Sequence, residues 1–315
     1  MRVLITGVSG AMGYYLAQYI KGIEPESFIV GIGRKFSAPD VAEYLDKYEQ
    51  LDLYWQPESR IREVISEAKP DVIYHLAALA NVRDSFQHPR RFAYNNTEGT
   101  LGLFQAIADT GLKPKIVLAS TSEVYGNVPA ILNPIPENLP FKPVNPYAVT
   151  KCCQENYANY YATAYGLPLV ITRAFGYINP KREDLVATAI ARQLVSCERG
   201  NRNEVYHGDL SPTRSFCDVR DIARAYYLAG VCPPGIYNIG SEEATTVKQL
   251  VSTLASISTA KPEWREQVSL TRLTDVFYAV PDVIKFRRVT LWRPEIKLHE
   301  SLIWLMEETR KCAFS

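Results

Sequence analysis

The sequence predicts an α/β protein, a doubly wound parallel sheet carrying a smaller C-terminal lobe. Short apolar runs rich in β-branched residues alternate with stretches of helical spacing. The runs are apolar throughout rather than at every second position, as strands covered on both faces are. Three glycines follow the first of these runs and open the first helical stretch.

The elements follow in order. "RVLITG" is a strand, and "GAMGYYLAQYIKGI" a helix with Leu16, Tyr19 and Ile20 on one face. "SFIVGIGR" is the second strand, and "QLDLY" follows a third strand-like stretch. "RIREVISEAKP" is a helix stopped by Pro70. "DVIYHLAA" is a buried strand, and "NNTEGTLGLFQAIADTG" a helix with Gly111 as its C-cap. "KIVLAS" is a strand, "NPYAVTKCCQENYANYYATAYG" a long helix and "PLVITRAF" another strand. Up to about Phe175 no linker or repeat interrupts the pattern. Beyond it, "GYINPKREDL", "HGDLSPTRSF", "VCPPG" and the loop-like "TRLTDVFYAVPD" break it up. Residues 1–175 are expected to bind a dinucleotide. Residues 176–315 are expected to form mainly a substrate lobe, with some segments returning to the first domain.

Composition narrows the function classes. The chain has 315 residues, 47% hydrophobic and 22% charged, with a net charge of +1. That is ordinary for a globular protein and gives no bulk attraction to nucleic acid or an anionic membrane. The first residues enter a strand, with Gly7 and Gly10 interrupting the apolar stretch, so no signal peptide is expected. No run of apolar residues is long enough to span a membrane. The six cysteines (152, 153, 197, 217, 232 and 312) form no C-x-x-C pair and are accompanied by four histidines. They read as reduced thiols, most of them buried, in a cytoplasmic protein without a metal.

"GVSGAMG" places Gly7, Gly10 and Gly13 between a strand and a helix. The helix start presents unpaired N–H groups and a positive dipole end to a pyrophosphate. The spacing is G-x-x-G-x-x-G, and the position after the opening strand makes it a dinucleotide turn of the Rossmann type. Ser9, Ala11 and Met12 lie in that turn and are expected to touch the cofactor. At the end of the second strand stand Arg34 and Lys35, where an NAD site usually carries an acid. Two cations suit a 2′-phosphate, so NADP(H) is expected rather than NAD. Asp52 is a candidate for the adenine amino group. Leu53, Leu76, Ala77 and Ala78 complete the expected cofactor contacts.

"PYAVTK" puts Tyr147 and Lys151 at i and i+4, on one helix face. A neighbouring ammonium favours a phenolate and should lower the tyrosine pKa, so that Tyr147 can take a proton from a sugar hydroxyl. "ASTSEVYG" ends a strand in hydroxyls and one carboxylate, Glu123.

With these blocks in place the sequence resembles the extended short-chain dehydrogenase/reductases that act on nucleotide sugars. "ITGVSGAMG", "HLAALANVRDSF", "STSEVYG", "PYAVTK" and "RSFCDVRDIARAY" carry the resemblance over nearly the whole chain. Within that family, "ASTSEVYG", "NPKRED" and "RLTDVFYAVPD" look like GDP-mannose 4,6-dehydratases. The shorter length and "RSFCDVRDI" look like GDP-4-keto-6-deoxy-mannose reductases. The resemblance implies that Thr121 bonds the sugar 4-OH and Glu123 removes the C5 proton. It implies that Ser85 lies near the substrate and that Arg214 and Arg272 hold its phosphates, with Asn179 and Arg182 also on the substrate side. The implied reaction oxidises C4, eliminates water across C5 and C6, and returns the hydride to C6. A 4-keto reductase and a C4 epimerase would use the same Thr121, Tyr147 and Lys151. Members of the family usually carry Asn where this chain has Gly176, and Asn179 is the candidate to replace it. Family members pair two helices across a two-fold, so a homodimer or homotetramer is expected.

Overall fold

The computed structural model describes residues 1–35, 39–270 and 276–312. Its first half runs β1 (Arg2–Thr6), α1 (Ala11–Ile23), β2 (Phe28–Gly33), α2 (Pro39–Ala42), β3 (Lys47–Gln50), α3 (Glu58–Ala68), β4 (Val72–His75), α4 (Val82–Gln87), α5 (Pro89–Phe92), α6 (Gly99–Thr110), β5 (Lys115–Thr121), α7 (Pro146–Tyr165) and β6 (Leu169–Ala174). The second half continues with β7 (Tyr177–Ile178), α8 (Val186–Glu198), β8 (Glu204–His207), β9 (Thr213–Arg214), β10 (Cys217–Asp218), α9 (Val219–Val231), β11 (Gly235–Ile239), β12 (Thr245–Thr246), α10 (Val247–Ile257), β13 (Glu263–Glu266), β14 (Tyr278–Ala279), α11 (Ile284–Thr290) and α12 (Leu298–Cys312).

Seven strands form one parallel sheet in the order β11-β6-β5-β4-β1-β2-β3. The central strands are apolar throughout because both faces are covered. Leu16, Ala17 and Ile20 of α1 pack on one face with Ile222, Ala225 and Ala229 of α9 and Phe286 of α11. Ile61 and Ile65 of α3, Phe104 and Ile107 of α6, and Ala158 and Tyr161 of α7 pack on the other. The strand order switches sense between β1 and β4, with β2 and β3 added on one side of β1 and β4, β5 and β6 on the other, and a cleft at the carboxyl ends of the strands follows from that switch.

The seventh strand, β11, was not legible as a strand in the sequence. Its five residues start at the glycine that ends "VCPPG" and pair with β6 in the register Ile236↔Ile171. A second cluster is built by Ile190 and Leu194 of α8, Leu250 and Leu254 of α10, and Leu302 and Leu305 of α12. The helix expected from the run "NNTEGTLG" opens as a turn of π-helix over 93–98. That wider turn carries the Asn96 amide against the loop after β4. Asn96 Oδ1 accepts from Leu79 N at 2.7 Å, and Nδ2 donates to Leu79 O and to Thr150 Oγ1. Gly111 ends the helix in the left-handed region, as expected. Cys152, Cys153, Cys197, Cys217 and Cys232 are free thiols. Among the described residues no helix is long and apolar enough to cross a membrane.

Candidate active site

The glycine turn is set by close approach. Gly7 has φ of 72°, and a Cβ there would lie 2.8 Å from Ala77 Cα. A Cβ on Gly13 would lie 2.5 Å from Val8. Gly10 is the N-cap of α1 and places no side chain on the helix's first amides. Those amides are therefore left to a ligand, and the cradle fits a dinucleotide pyrophosphate. Leu76, Ala77 and Ala78 lie alongside, half-buried, with Ala77 N donating to Thr6 Oγ1. Asp52 folds into its own turn, where Oδ1 accepts from Tyr54 N at 3.0 Å, and Leu53 beside it is buried.

Arg34 and Lys35 are both exposed at the end of β2. The backbone there is fixed by two side chains that sequence reasoning missed. Tyr48 Oη donates to Lys35 O at 2.7 Å, and Gln50 Nε2 reaches Arg34 O at 3.5 Å. Both sit on β3, whose parallel register with β2 brings Gln50 beside Gly33.

At the far side of the switch, β5 ends in Thr121 and α7 begins two loops later. Asn145 caps α7 by accepting from Ala148 N at 2.8 Å, and Pro146 fills the first helical position. The same Asn145 donates Nδ2 to Glu123 Oε2 at 2.8 Å. One residue therefore fixes both the start of the helix bearing Tyr147 and the carboxylate opposite it. Its signal, an Asn directly before the Pro that opens the helix, was readable as a cap but not as a partner of Glu123. The Thr121 hydroxyl acts on the Tyr147 phenol to lower its pKa and accepts from Glu123 N at 3.3 Å.

Lys151 lies one turn below Tyr147, 96% buried. Its Nζ donates to Ala119 O at 2.8 Å and stands 5.9 Å from the Tyr147 ring centroid. The expected lowering of the tyrosine pKa by this lysine is not what the folded chain gives. Burial pushes the Tyr147 phenol well above its ordinary value, while the Arg182 guanidinium and the Thr121 hydroxyl oppose the rise. Burial also pulls Lys151 down to about 7, with Glu155 working against it. Desolvation acts on each group singly and outweighs their mutual attraction at this distance.

Beneath Lys151, one further turn along α7, Glu155 is fully buried and pairs with Arg173 of β6. Arg173 Nη2 lies 2.8 Å from Oε2, Ser120 Oγ donates to Oε1, and Arg173 Nη1 reaches Tyr125 Oη at 3.0 Å. This network anchors the strand end next to Thr121. Sequence reasoning missed it, because Glu155 and Arg173 lie on separate elements.

The expected substrate residues are distributed unevenly. Ser85 is fully buried and donates Oγ to Val82 O at 2.6 Å, inside its own short helix. Arg182 is braced by Asp184 through two contacts of 2.6 Å, near enough to Tyr147 to act on its charge. Asn179 is fully buried. Its Oδ1 accepts from Lys181 N at 3.0 Å, and its Nδ2 has no hydrogen-bond partner. An orphaned buried amide donor of this kind fits a ligand oxygen. Arg214 is half-buried on β9. Arg272 lies outside the described residues. At Gly176 a Cβ would fall 2.4 Å from Ser215 O, so the backbone passing there excludes the Asn usual in the family.

A parallel sheet of this order, with a glycine turn at its first strand and Thr121, Tyr147 and Lys151 gathered at its carboxyl edge, is the architecture of the extended short-chain dehydrogenase/reductases that act on nucleotide sugars. The chain belongs to the GDP-mannose 4,6 dehydratase family, whose model matches residues 4–303. It is 28% identical to the GDP-6-deoxy-D-mannose reductase of Pseudomonas aeruginosa, over 96% of this chain and 94% of that one. It is 32% identical to a GDP-mannose 4,6-dehydratase of Vibrio cholerae, over 71% of this chain and 63% of that one. Among solved structures, RMD from Pseudomonas aeruginosa complexed with NADPH superposes with a TM-score of 0.86 at 26% identity, over 99% of this chain and all of that one. The UDP-glucose 4-epimerase of Thermotoga maritima with UDP-glucose gives the same TM-score, identity and coverage.

Proposed function

We propose that the protein is an NADP(H)-dependent nucleotide-sugar 4,6-dehydratase acting on a GDP-hexose. The observation that carries this reading is the Glu123 carboxylate, oriented by Asn145 in the turn that also holds Thr121 and set close enough to Tyr147 to influence its charge. An oxidation or reduction at C4 alone needs the hydroxyl and the phenol. Elimination needs, in addition, a base for the C5 proton.

Bound NADP would supply hydride uptake from C4 and its return to C6, so the reaction is redox-neutral overall. Tyr147 takes the proton of the 4-hydroxyl, which Thr121 holds. Arg182 is the cation that favours the ionised form of the phenol, and Lys151 stands 5.9 Å from its ring centroid. Once C4 is a ketone, the C5–H is acidified and Glu123 accepts that proton. The C6 hydroxyl leaves as water with the proton that Glu123 accepted, and the proton held by Tyr147 is returned to C5 as C6 is reduced. Asn145 keeps the carboxylate aimed during both steps.

The test is incubation with GDP-mannose without added reductant, followed by detection of a 4-keto-6-deoxy product. Glu123→Gln keeps the Asn145 contact but not the base. Dehydration should fall roughly a hundredfold to ten-thousandfold while C4 oxidation survives. Near-normal dehydration by that variant would refute the role of Glu123. A second reading, a 4-keto-6-deoxy sugar reductase, is favoured by the reductase relative that matches along almost its full length. It wins if the parent consumes NADPH only with a 4-keto-6-deoxy sugar. A product inverted at C4 would instead indicate an epimerase.

Residues 176–315, in this reading, mainly bind the substrate, and the protein works in the cytoplasm as a homodimer. Val149, Tyr157, Tyr160 and Tyr165 are exposed along α7, an apolar stripe of the kind a second copy would cover. A monomer by light scattering at micromolar concentration counts against the dimer.

A further inference from the structure

Beside the ribose end of the cofactor cradle lies a groove of about 780 Å³, lined among others by Ser9, Gly10, Lys35, Asp40 and Lys181. Asp40 comes from the start of α2, just beyond β2. Lys181 comes from the loop after β7, in the other half of the chain. Their side chains meet across the groove, with Lys181 Nζ 3.0 Å from Asp40 Oδ2. The ammonium also sits 4.2 Å from the centroid of the Tyr14 ring. Tyr14 is in turn held edge-on by Tyr15 at 5.1 Å and by Tyr44 at 5.7 Å. An aromatic face of this kind positions a cation whatever its anionic partner.

We propose that Lys181 is a third cation selecting the 2′-phosphate of NADP(H), and that Asp40 is the partner it gives up when that phosphate binds. This rests on the NADP(H) reading given above. The pair suits an exchange of partners. Asp40 is 74% and Lys181 34% exposed, so their bond is screened and costs little to break. A phosphate monoester carries nearly two negative charges at pH 7 against one on a carboxylate, and offers three acceptor oxygens. Lys35, on the same groove wall, already acts on the Asp40 carboxyl, and with Lys181 holds it below its ordinary pKa. The acid and the phosphate would thus draw on the same cations. NAD has no 2′-phosphate and leaves the Asp40–Lys181 bond intact.

The experiment is equilibrium binding of NADP⁺ and NAD⁺, read by calorimetry or quenching of intrinsic fluorescence, with no turnover. Lys181→Met should raise the Kd for NADP⁺ about tenfold, ~1.4 kcal/mol, and leave NAD⁺ within a factor of about two. Lys181→Arg, which keeps the charge over Tyr14, should restore most of the loss. Asp40→Asn should tighten NADP⁺ severalfold and leave NAD⁺ unchanged. Arg34→Ala with Lys35→Ala is the benchmark. If that pair abolishes NADP⁺ preference while Lys181→Met changes neither cofactor, or both equally, the inference about Lys181 is overturned and the NADP(H) reading stands. If the parent does not prefer NADP⁺ at all, the NADP(H) reading itself has failed.

Discussion

Removing the charge of Glu155 should be among the most costly single changes outside the catalytic residues. Glu155→Gln keeps the shape but leaves the Arg173 guanidinium, 4% exposed at its side chain, without its counter-charge. The carboxylate accepts from Ser120, from Arg173 Nε at 3.1 Å and from Nη2 at 2.8 Å, so more than one charge-assisted bond is lost. Breaking a buried pair by deleting one partner costs about 3–5 kcal/mol, because the surviving charge stays desolvated. At roughly 2 °C per kcal/mol for a large domain, the melting temperature should fall by about 6–10 °C in differential scanning calorimetry. The double variant Glu155→Leu with Arg173→Met removes both charges and should recover most of that loss. The variant also bears on the reaction centre, since Glu155 is the group that opposes the burial-driven fall in the Lys151 pKa. A single variant that melts within about 2 °C of the parent would refute the reasoning. So would a double variant no more stable than the worse single one.

Two other outcomes are expected. Gly176→Ala should destabilise by about 1–3 kcal/mol in urea unfolding, because its Cβ would meet Ser215 O at 2.4 Å where only backbone could move; unfolding like the parent would show that this backbone yields at little cost. Lys151 has a folded-state pKa of about 7, below its unfolded value, so between about pH 7 and pH 9 the unfolded chain binds more protons there and stability rises with pH. In Lys151→Met that contribution disappears, and the difference in stability between variant and parent should shrink as pH rises; a constant difference across the range would contradict the buried, depressed lysine.

Much of the site was legible in the sequence because its signals are local. A strand followed by Gly7, Gly10 and Gly13 fixes a turn, a helix start and an anion cradle within a dozen residues. Tyr147 and Lys151 share a helix face by their spacing alone. The uninterrupted apolar runs required a sheet covered on both sides, and the packing of α1 and α9 against one face and α3, α6 and α7 against the other is that sheet. What the tertiary structure decided depends on partners far away in the chain. β11 is a strand because β6 lies open beside it. Gly176 is glycine because Ser215 passes within reach of any Cβ, and Asn145 matters beyond its cap because the fold returns Glu123 to its side. The charge states were decided there too. Sequence spacing brings an ammonium near a phenol, but only the packed interior excludes enough water for desolvation to outweigh their attraction, raising the Tyr147 pKa and lowering that of Lys151.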